Sequence, residues 1–145
     1  MKAVVLGGAG VEGSYAAKCL AEGSVFSEVC VADIDRKRGK ELSKTSEKMV
    51  YKYVDVTDKK SLSNVIRDAD VVVNCVGPFY KYASSIMETT IAKCLNYVDI
   101  CDDYDATQLL LEKFYKEAEK AGVTCVVGLG ASPGLTNILV AHSAE

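Results

Sequence analysis

The sequence comprises 145 residues, of which 49% are hydrophobic and 26% are charged, with a formal net charge of −3 at pH 7. This length and composition predict one globular domain with a substantial core, and the small negative charge without a basic cluster argues against nucleic acid as a partner. The N-terminus meets glycines after only a few apolar residues, and no stretch approaches the roughly 18 apolar residues of a membrane span. Neither a signal peptide nor a membrane partner is therefore expected.

Six short β-branched runs predict strands, and most of them are apolar nearly throughout, as in strands that are covered on both faces. They are, in chain order, KAVVLG, SEVCVAD, MVYKYVDV, ADVVVNCVG, YVDIC and GVTCVVGLG. The segments between them have helical spacing; one places Leu110, Phe114 and Ala118 on one face and ends before Gly122, a typical helix-terminating glycine. This alternation predicts an α/β fold: a Rossmann-type doubly wound parallel sheet of order 3-2-1-4-5-6, with helices on both faces. Further helices are predicted over 36–47, 59–69, 80–95 and 134–144.

The first predicted strand and helix are joined by VLGGAGVEG, which has the spacing GxGxxG at Gly8, Gly10 and Gly13. In this context the spacing is typical of a dinucleotide-binding loop. Gly8 then permits a tight turn, Gly10 lets the backbone approach a pyrophosphate, and Gly13 lets helix and strand pack closely. The helix start, with Val11 and Glu12, offers N–H groups and a partial positive charge to the phosphates. A tight turn without a ligand is the alternative.

Asp33 ends the second predicted strand, twenty residues after Gly13, where the fingerprint expects an acid on the adenosine ribose. A carboxylate there, followed by Ile34 as a further contact, accepts hydrogen bonds from ribose hydroxyls and repels a 2′-phosphate, which favours NAD as the cofactor. Arg36 and Lys37 leave NADP open, because their side chains could fold over a phosphate. The alternative for Asp33 is a cap on the following helix.

The ends of the third and fourth predicted strands also belong at the edge of the groove. Asp55 and Val56 are expected either to meet an adenine edge or, in the case of Asp55, to cap the helix in KKSLSNVI. Gly77 has no side chain that would block the nicotinamide ring. The next residue, Pro78, is equally well explained as a strand terminator. The residues expected beside the nicotinamide, where the strand order reverses, are Cys75, Val76, Gly77 and Pro78.

The six cysteines include no CxxC pair, and most lie inside apolar runs, a placement typical of reduced thiols in a core. The one histidine, His142, is far in sequence from any pair of cysteines, so no metal site is predicted. These features predict a reducing, cytoplasmic location.

Five segments together resemble the N-terminal NAD(P)-binding domain of the saccharopine dehydrogenase-like family: VLGGAGVEG, VADID, VVVNCVGPF, YVDICD and GLGASPGLTN. The resemblance extends from Lys2 to about Ala141. It implies an oxidoreductase that transfers hydride between NAD(P) and the CH–NH group of an amino-acid-like substrate. ADID is similar to the lysine 6-dehydrogenase branch and GPFYKY to the saccharopine-reductase branch, so the branch stays open.

The resemblance also places Asp99 and the segment PGLTN, with Pro133, Gly134 and Asn137, near the mouth of the site. Ser132 and Pro133 are predicted as an N-cap and first helical residue there.

An acidic cluster, VDICDDYDA, follows the fifth predicted strand. Its carboxylates, Asp99 above all, either bind a substrate ammonium group or act as a base, or the run is a solvated loop that caps the next helix at Asp102 or Asp105. Family members often have Gly–Glu or Gly–Gly at the place of Cys101–Asp102–Asp103, so no catalytic residue is assigned.

The resemblance implies that residues 1–145 form the NAD(P)-binding domain, with a domain for the substrate and for homodimerisation expected in a longer parent chain. The 145 residues alone are expected to bind a dinucleotide but to turn over little or nothing. The alternative is a non-catalytic NAD(P)-binding sensor or regulatory module. A short-chain reductase is disfavoured, because none of the eight tyrosines is followed four residues later by lysine.

Overall fold

The structure, a computed structural model, describes residues 1–144. Its centre is a six-stranded parallel sheet of order β3-β2-β1-β4-β5-β6, which confirms the predicted order. The strands are β1 (Lys2–Leu6), β2 (Glu28–Asp33), β3 (Met49–Tyr53), β4 (Val71–Asn74), β5 (Asn96–Asp99) and β6 (Cys125–Val126).

Helices follow the strands in strict alternation. Gly122 ends the fifth helix with a left-handed φ of 65°, as its position in the sequence predicts. Four helices end earlier than their predicted ranges, namely the second, the third, the fourth and, by one residue, the sixth, which also begins two residues later than predicted. The helices are α1 (Val11–Glu22), α2 (Arg36–Ser43), α3 (Lys59–Ile66), α4 (Phe79–Ile91), α5 (Tyr104–Ala121) and α6 (Thr136–Ser143), with an irregular helical turn at Ala131–Leu135 before the last.

Two apolar clusters cover the two faces of the sheet. Because successive side chains of a strand point to opposite faces, Val4 and Leu6 belong to the cluster under α3, α4 and α5, whereas Val5 belongs to the cluster under α1. The helices therefore lie on both faces, as the alternation predicts. All strand carboxyl ends point to one edge, so the loops that follow β1, β2, β3 and β4 meet there.

The cysteines are divided between core and surface. All six are unpaired thiols; Cys30 and Cys101 are buried, whereas Cys19 and Cys94 are exposed. Within residues 1–144, no group of side chains is arranged to hold a metal ion, and no helix is long and apolar enough to cross a membrane.

Candidate functional site

A cavity of about 460 Å³ lies at the carboxyl edge of the sheet, where the loops after the first four strands meet. Eight of the thirteen predicted cofactor contacts line it: Gly10, Asp33, Ile34, Asp55, Val56, Cys75, Val76 and Gly77. The other five lie outside the lining: Gly8, Val11, Glu12, Gly13 and Pro78. The lining also includes four residues that the sequence pattern did not single out: Gly7, Val54, Thr57 and Tyr82.

The glycine loop between β1 and α1 turns at Gly7, which has a φ of 73°. The tight turn was predicted at Gly8, so the left-handed residue is one position earlier than expected. Position 8 favours glycine for a different reason, since a Cβ there would lie only 2.9 Å from the carbonyl oxygen of Val5. A Cβ on Gly13 would collide with the carbonyl oxygen of Gly7, so Gly13 lets α1 pack closely on the loop that follows β1, whereas close packing of the helix on the strand itself was predicted.

The first turn of α1 lies beside this loop with its backbone donors available. The helix begins at Val11, and Gly10, which precedes it, provides no side-chain cap. The first N–H groups of a helix have no partner within the helix, and together with the macrodipole they favour an anion. The side chains of Val11 and Glu12 are exposed, so any contact with an anion in the cavity would come from their main chain.

Asp33 connects the end of β2 to the glycine loop. Its Oδ2 accepts a hydrogen bond from the N–H of Ala9 (2.9 Å), and its Oδ1 accepts one from the N–H of Asp35 (2.8 Å). The cap of α2 is Asp35, which accepts from the N–H groups of Lys37 and Arg38, so the alternative of Asp33 as a helix cap is wrong. Each oxygen of Asp33 keeps a second lone pair that a ribose hydroxyl can use.

Arg36 and Lys37, the two basic residues that could have bound the 2′-phosphate of NADP, do not line the cavity. The guanidinium of Arg36 stacks on the ring of Tyr53, 3.9 Å from its centroid. The hydroxyl of Tyr51 donates to the carbonyl oxygen of Asp33 (3.0 Å) and further orders the end of β2.

Asp55 bends the chain after β3. Its Oδ1 accepts hydrogen bonds from the hydroxyl (2.6 Å) and the N–H (2.9 Å) of Thr57, and these bonds lower the pKa of Asp55. The cap of α3 is Asp58, which accepts from the N–H of Lys60, so Asp55 is not the cap either. Asp55 lines the cavity and so presents a carboxylate at its wall.

The segment after β4 forms the other end of the cavity. A Cβ added to Gly77 would meet no atom within 4 Å, so the space beside this residue is open. Burial raises the pKa of the Cys75 thiol to about 11, and the thiol is therefore protonated at neutral pH. The glycine leaves room for a flat ring, and the neighbouring thiol offers no nucleophile to it.

Asp99 is a buried side chain that does not line the cavity. Its side chain is fully buried and accepts hydrogen bonds from the Tyr97 hydroxyl (2.8 Å) and from the N–H groups of Cys101 (3.1 Å) and Gly128 (2.8 Å). A buried carboxylate with three donors is a structural group, and the expectation that Asp99 binds an ammonium group or acts as a base is wrong.

The remaining predictions at this edge concern helix starts. Asp103 caps α5 by accepting from the N–H of Ala106 (2.9 Å), so the predicted caps Asp102 and Asp105 are both wrong. Ser132 is extended (φ −134°, ψ 129°) but makes no cap bond, and α6 begins only at Thr136.

Comparison with known proteins agrees with this fold. Residues 3–126 match the family model described as saccharopine dehydrogenase NADP binding domain. The chain is 26% identical over 141 residues to a lipid droplet localized protein of Caenorhabditis elegans, covering 88% of this chain and 32% of that protein. It is also 26% identical over 170 residues to carboxynorspermidine synthase of Vibrio cholerae, covering all of this chain and 40% of that protein.

Among solved structures, apo saccharopine dehydrogenase (L-Glu forming) of Saccharomyces cerevisiae superposes with a TM-score of 0.83 at 24% identity, covering 98% of this chain and 30% of that one. The chain thus spans well under half the length of these relatives. The matched family model covers most of the chain and the parallel sheet that forms the cavity. The chain belongs to the family of saccharopine dehydrogenase NADP-binding domains.

Proposed function

We propose that this chain binds a nicotinamide dinucleotide across the carboxyl edge of its sheet. The observation that carries the proposal is the 460 Å³ cavity, which runs from Asp33 past the uncapped start of α1 to the open space at Gly77. The N–H groups at one helix start suit a diphosphate, and the two ends suit the two nucleosides.

Within this proposal each predicted residue has one role. The diphosphate lies over Gly10 and the first turn of α1, and the adenosine ribose donates hydrogen bonds to Asp33. The adenine lies toward the loop of Ile34, Asp55 and Val56, and the nicotinamide lies against the segment 75–78. The bound nicotinamide supplies a hydride acceptor or donor; the chain itself binds and orients it.

We further propose that NAD is preferred over NADP. The carboxylate of Asp33 would repel a 2′-phosphate, and Arg36 is stacked on Tyr53 instead of lining the cavity. The matched family model, in contrast, is described as an NADP binding domain.

Calorimetric titration with NAD, NADH, NADP and NADPH tests both proposals. The chain should bind NADH at least about tenfold more tightly than NADPH, a difference of about 1.4 kcal/mol. Asp33→Asn should reduce this ratio, because the charge that opposes the 2′-phosphate is lost while one oxygen remains for the N–H of Ala9. Asp35→Asn, which alters the cap of α2 outside the cavity, is the matched control and should keep the ratio. Tighter binding of NADPH by the parent would contradict the preference for NAD, and no binding of any of the four would contradict the proposed function.

For the whole protein we propose a dehydrogenase of the saccharopine or lysine type, acting on the CH–NH group of an amino-acid-like substrate in the cytoplasm. Support comes from the family and from the length of the relatives, which leaves room for a domain that binds substrate and forms a homodimer. NADH formation from lysine or saccharopine by a longer product of the same gene, and its absence with residues 1–145, would support this assignment. An equally inactive longer product would contradict it.

A non-catalytic nucleotide sensor is the second candidate, favoured by the composition of the cavity wall. Among its titratable side chains, the Cys75 thiol is protonated, both oxygens of Asp33 accept hydrogen bonds from backbone N–H groups, and Oδ1 of Asp55 accepts two hydrogen bonds from Thr57. Unchanged dinucleotide affinity in a longer product that lacks turnover would favour the sensor.

A further inference from the structure

A chain of buried polar side chains connects the carboxyl ends of β4, β5 and β6. The Nδ2 of Asn74 donates to the hydroxyl of Tyr97 (3.0 Å), and this hydroxyl donates to Oδ2 of Asp99 (2.8 Å). Asn74, Tyr97 and Asp99 are all essentially inaccessible to solvent. We call these three residues the buried polar network.

The direction of these hydrogen bonds is determined at the carboxylate. Oδ1 of Asp99 is occupied by the N–H groups of Cys101 and Gly128, and a carboxylate only accepts, so the hydroxyl of Tyr97 must donate to Oδ2. Burial, and next the charge of Asp99, raise the pKa of Tyr97 well above its ordinary value, so the hydroxyl keeps this proton. The tyrosine oxygen is then an acceptor for the amide N of Asn74.

The network ends at the cavity. With its nitrogen directed at Tyr97, the amide of Asn74 presents its Oδ1 to the N–H of Val76, which donates to it (3.0 Å). Val76 lines the cavity, and the next residue, Gly77, faces the open space. The orientation of the peptide between Cys75 and Val76 thus depends on the side chain of Asn74, which is itself held by Tyr97 and Asp99.

Sheet pairing alone does not require these polar groups. β4 and β5 are paired by their main chains, with Asn74 opposite Asp99 in the register. Apolar side chains would fill this interior without the desolvation that buried polar groups incur, and replacement of a buried polar set by apolar residues is often neutral or stabilising. A polar set that reaches the cavity through one backbone N–H therefore points to a role at the cavity.

We infer that Asn74, Tyr97 and Asp99 are positioning residues that hold the backbone of residues 75–77 in the orientation that receives the nicotinamide ring. This inference rests on the proposed binding of a nicotinamide dinucleotide. The buried polar network should therefore contribute to the affinity for the nicotinamide half of the dinucleotide. It should not contribute to the affinity for the ADP-ribose half.

The test compares NADH with ADP-ribose, which lacks the nicotinamide, by calorimetry on the 145-residue chain. The parent should bind NADH several-fold more tightly than ADP-ribose. Asn74→Leu, which removes the acceptor of the Val76 N–H, should bring the two affinities within about twofold while changing that for ADP-ribose by less than about threefold. Tyr97→Phe is the milder variant, and it should reduce the ratio in the same sense if Asn74→Leu does not fold.

Thr90→Val is the matched control for losing a buried hydrogen bond. The hydroxyl of Thr90 is buried in α4 and donates to the carbonyl oxygen of Ile86 (2.8 Å), and this residue does not line the cavity. The Thr90→Val variant should leave the ratio of the NADH affinity to the ADP-ribose affinity unchanged.

The outcomes separate the two proposals. A ratio that is unchanged in both network variants, or a parent that binds NADH and ADP-ribose equally, would overturn the positioning role and leave dinucleotide binding intact. A parent that binds neither compound would overturn the proposed function itself.

Discussion

Gly13 and Gly77 differ in what a methyl group would meet at each position. At Gly13 an added Cβ would collide with the carbonyl oxygen of Gly7, a backbone atom that cannot turn aside, whereas at Gly77 it would meet nothing. One glycine therefore serves packing within the protein, and the other keeps a space at the cavity edge open.

The two alanine variants should separate these roles. Gly13→Ala should lower the free energy of unfolding by about 2 kcal/mol or more, because helix and loop must move apart. Gly77→Ala should change stability by less than about 0.5 kcal/mol but weaken NADH binding about tenfold, because the methyl group would enter the cavity. Urea unfolding and calorimetric titration give the two quantities. Equal losses of stability in both variants would contradict this division.

Several functions of individual residues were not predictable from local sequence. Asp33 was identified by its spacing from the glycines, but its bond to the N–H of Ala9 depends on how the loop folds back over β2. Gly7 lies outside the GxGxxG spacing, so this spacing does not identify it as the left-handed residue of the turn. Spacing identifies which residues meet, whereas the hydrogen bonds between them follow from backbone geometry.

At the level of elements, the strands and helices were predictable and their first residues were less so. The run CDDYDA has several acids in succession, and an aspartate caps equally well from neighbouring positions, so the composition alone does not select one. In the structure Asp103 has an extended backbone, and its side chain accepts the hydrogen bond from the N–H of Ala106.

Removal of this cap should therefore be distinguishable from removal of its neighbours. Asp103→Ala should lower the free energy of unfolding by about 1 kcal/mol, because the first turn of α5 loses an acceptor for its N–H groups. Asp102→Ala should cost less than about 0.5 kcal/mol. Urea denaturation of the two variants at pH 7 measures the difference in the free energy of unfolding. A greater loss of stability with Asp102→Ala would contradict the assignment of the cap to Asp103.

For the whole molecule, the alternation of strands and helices was sufficient to predict the sheet order and the edge at which the cavity forms. The buried polar network was not predictable, because Asn74 and Tyr97 are 23 residues apart and each lies in a run that indicates an ordinary strand. The sequence indicates an acid near the site at Asp99, whereas its burial and its place opposite Asn74 become visible only in the assembled sheet. The sequence pattern within one segment predicts whether it forms a strand or a helix. Side-chain contacts between distant segments become known only from the assembled sheet.

Two thiols, the buried Cys30 and the half-buried Cys75, should make the whole domain less stable at alkaline pH. Burial raises the pKa of Cys30 and of Cys75 from an ordinary value of 9.0 to about 11. Between these values the folded state keeps the two protons that the unfolded chain releases, so the free energy of unfolding falls as pH rises through this window. Each thiol should account for a loss of about 1 kcal/mol between about pH 8 and pH 10. The raised pKa values of Cys101 and Cys125 add to the loss in this range, and the raised pKa of Tyr97 begins to add to it as pH approaches 10.

Urea unfolding at pH 7, 8, 9 and 10 measures this dependence, with the double variant Cys30→Ala/Cys75→Ala for comparison. The variant should be less stable at pH 7, because one buried and one half-buried side chain are shortened, yet its stability should change less between pH 8 and pH 10. The comparison of slopes thus separates the titration of the thiols from their packing. A parent whose stability is constant up to pH 10, or a double variant with the same slope as the parent, would show that the two thiols do not control the alkaline limit of this fold.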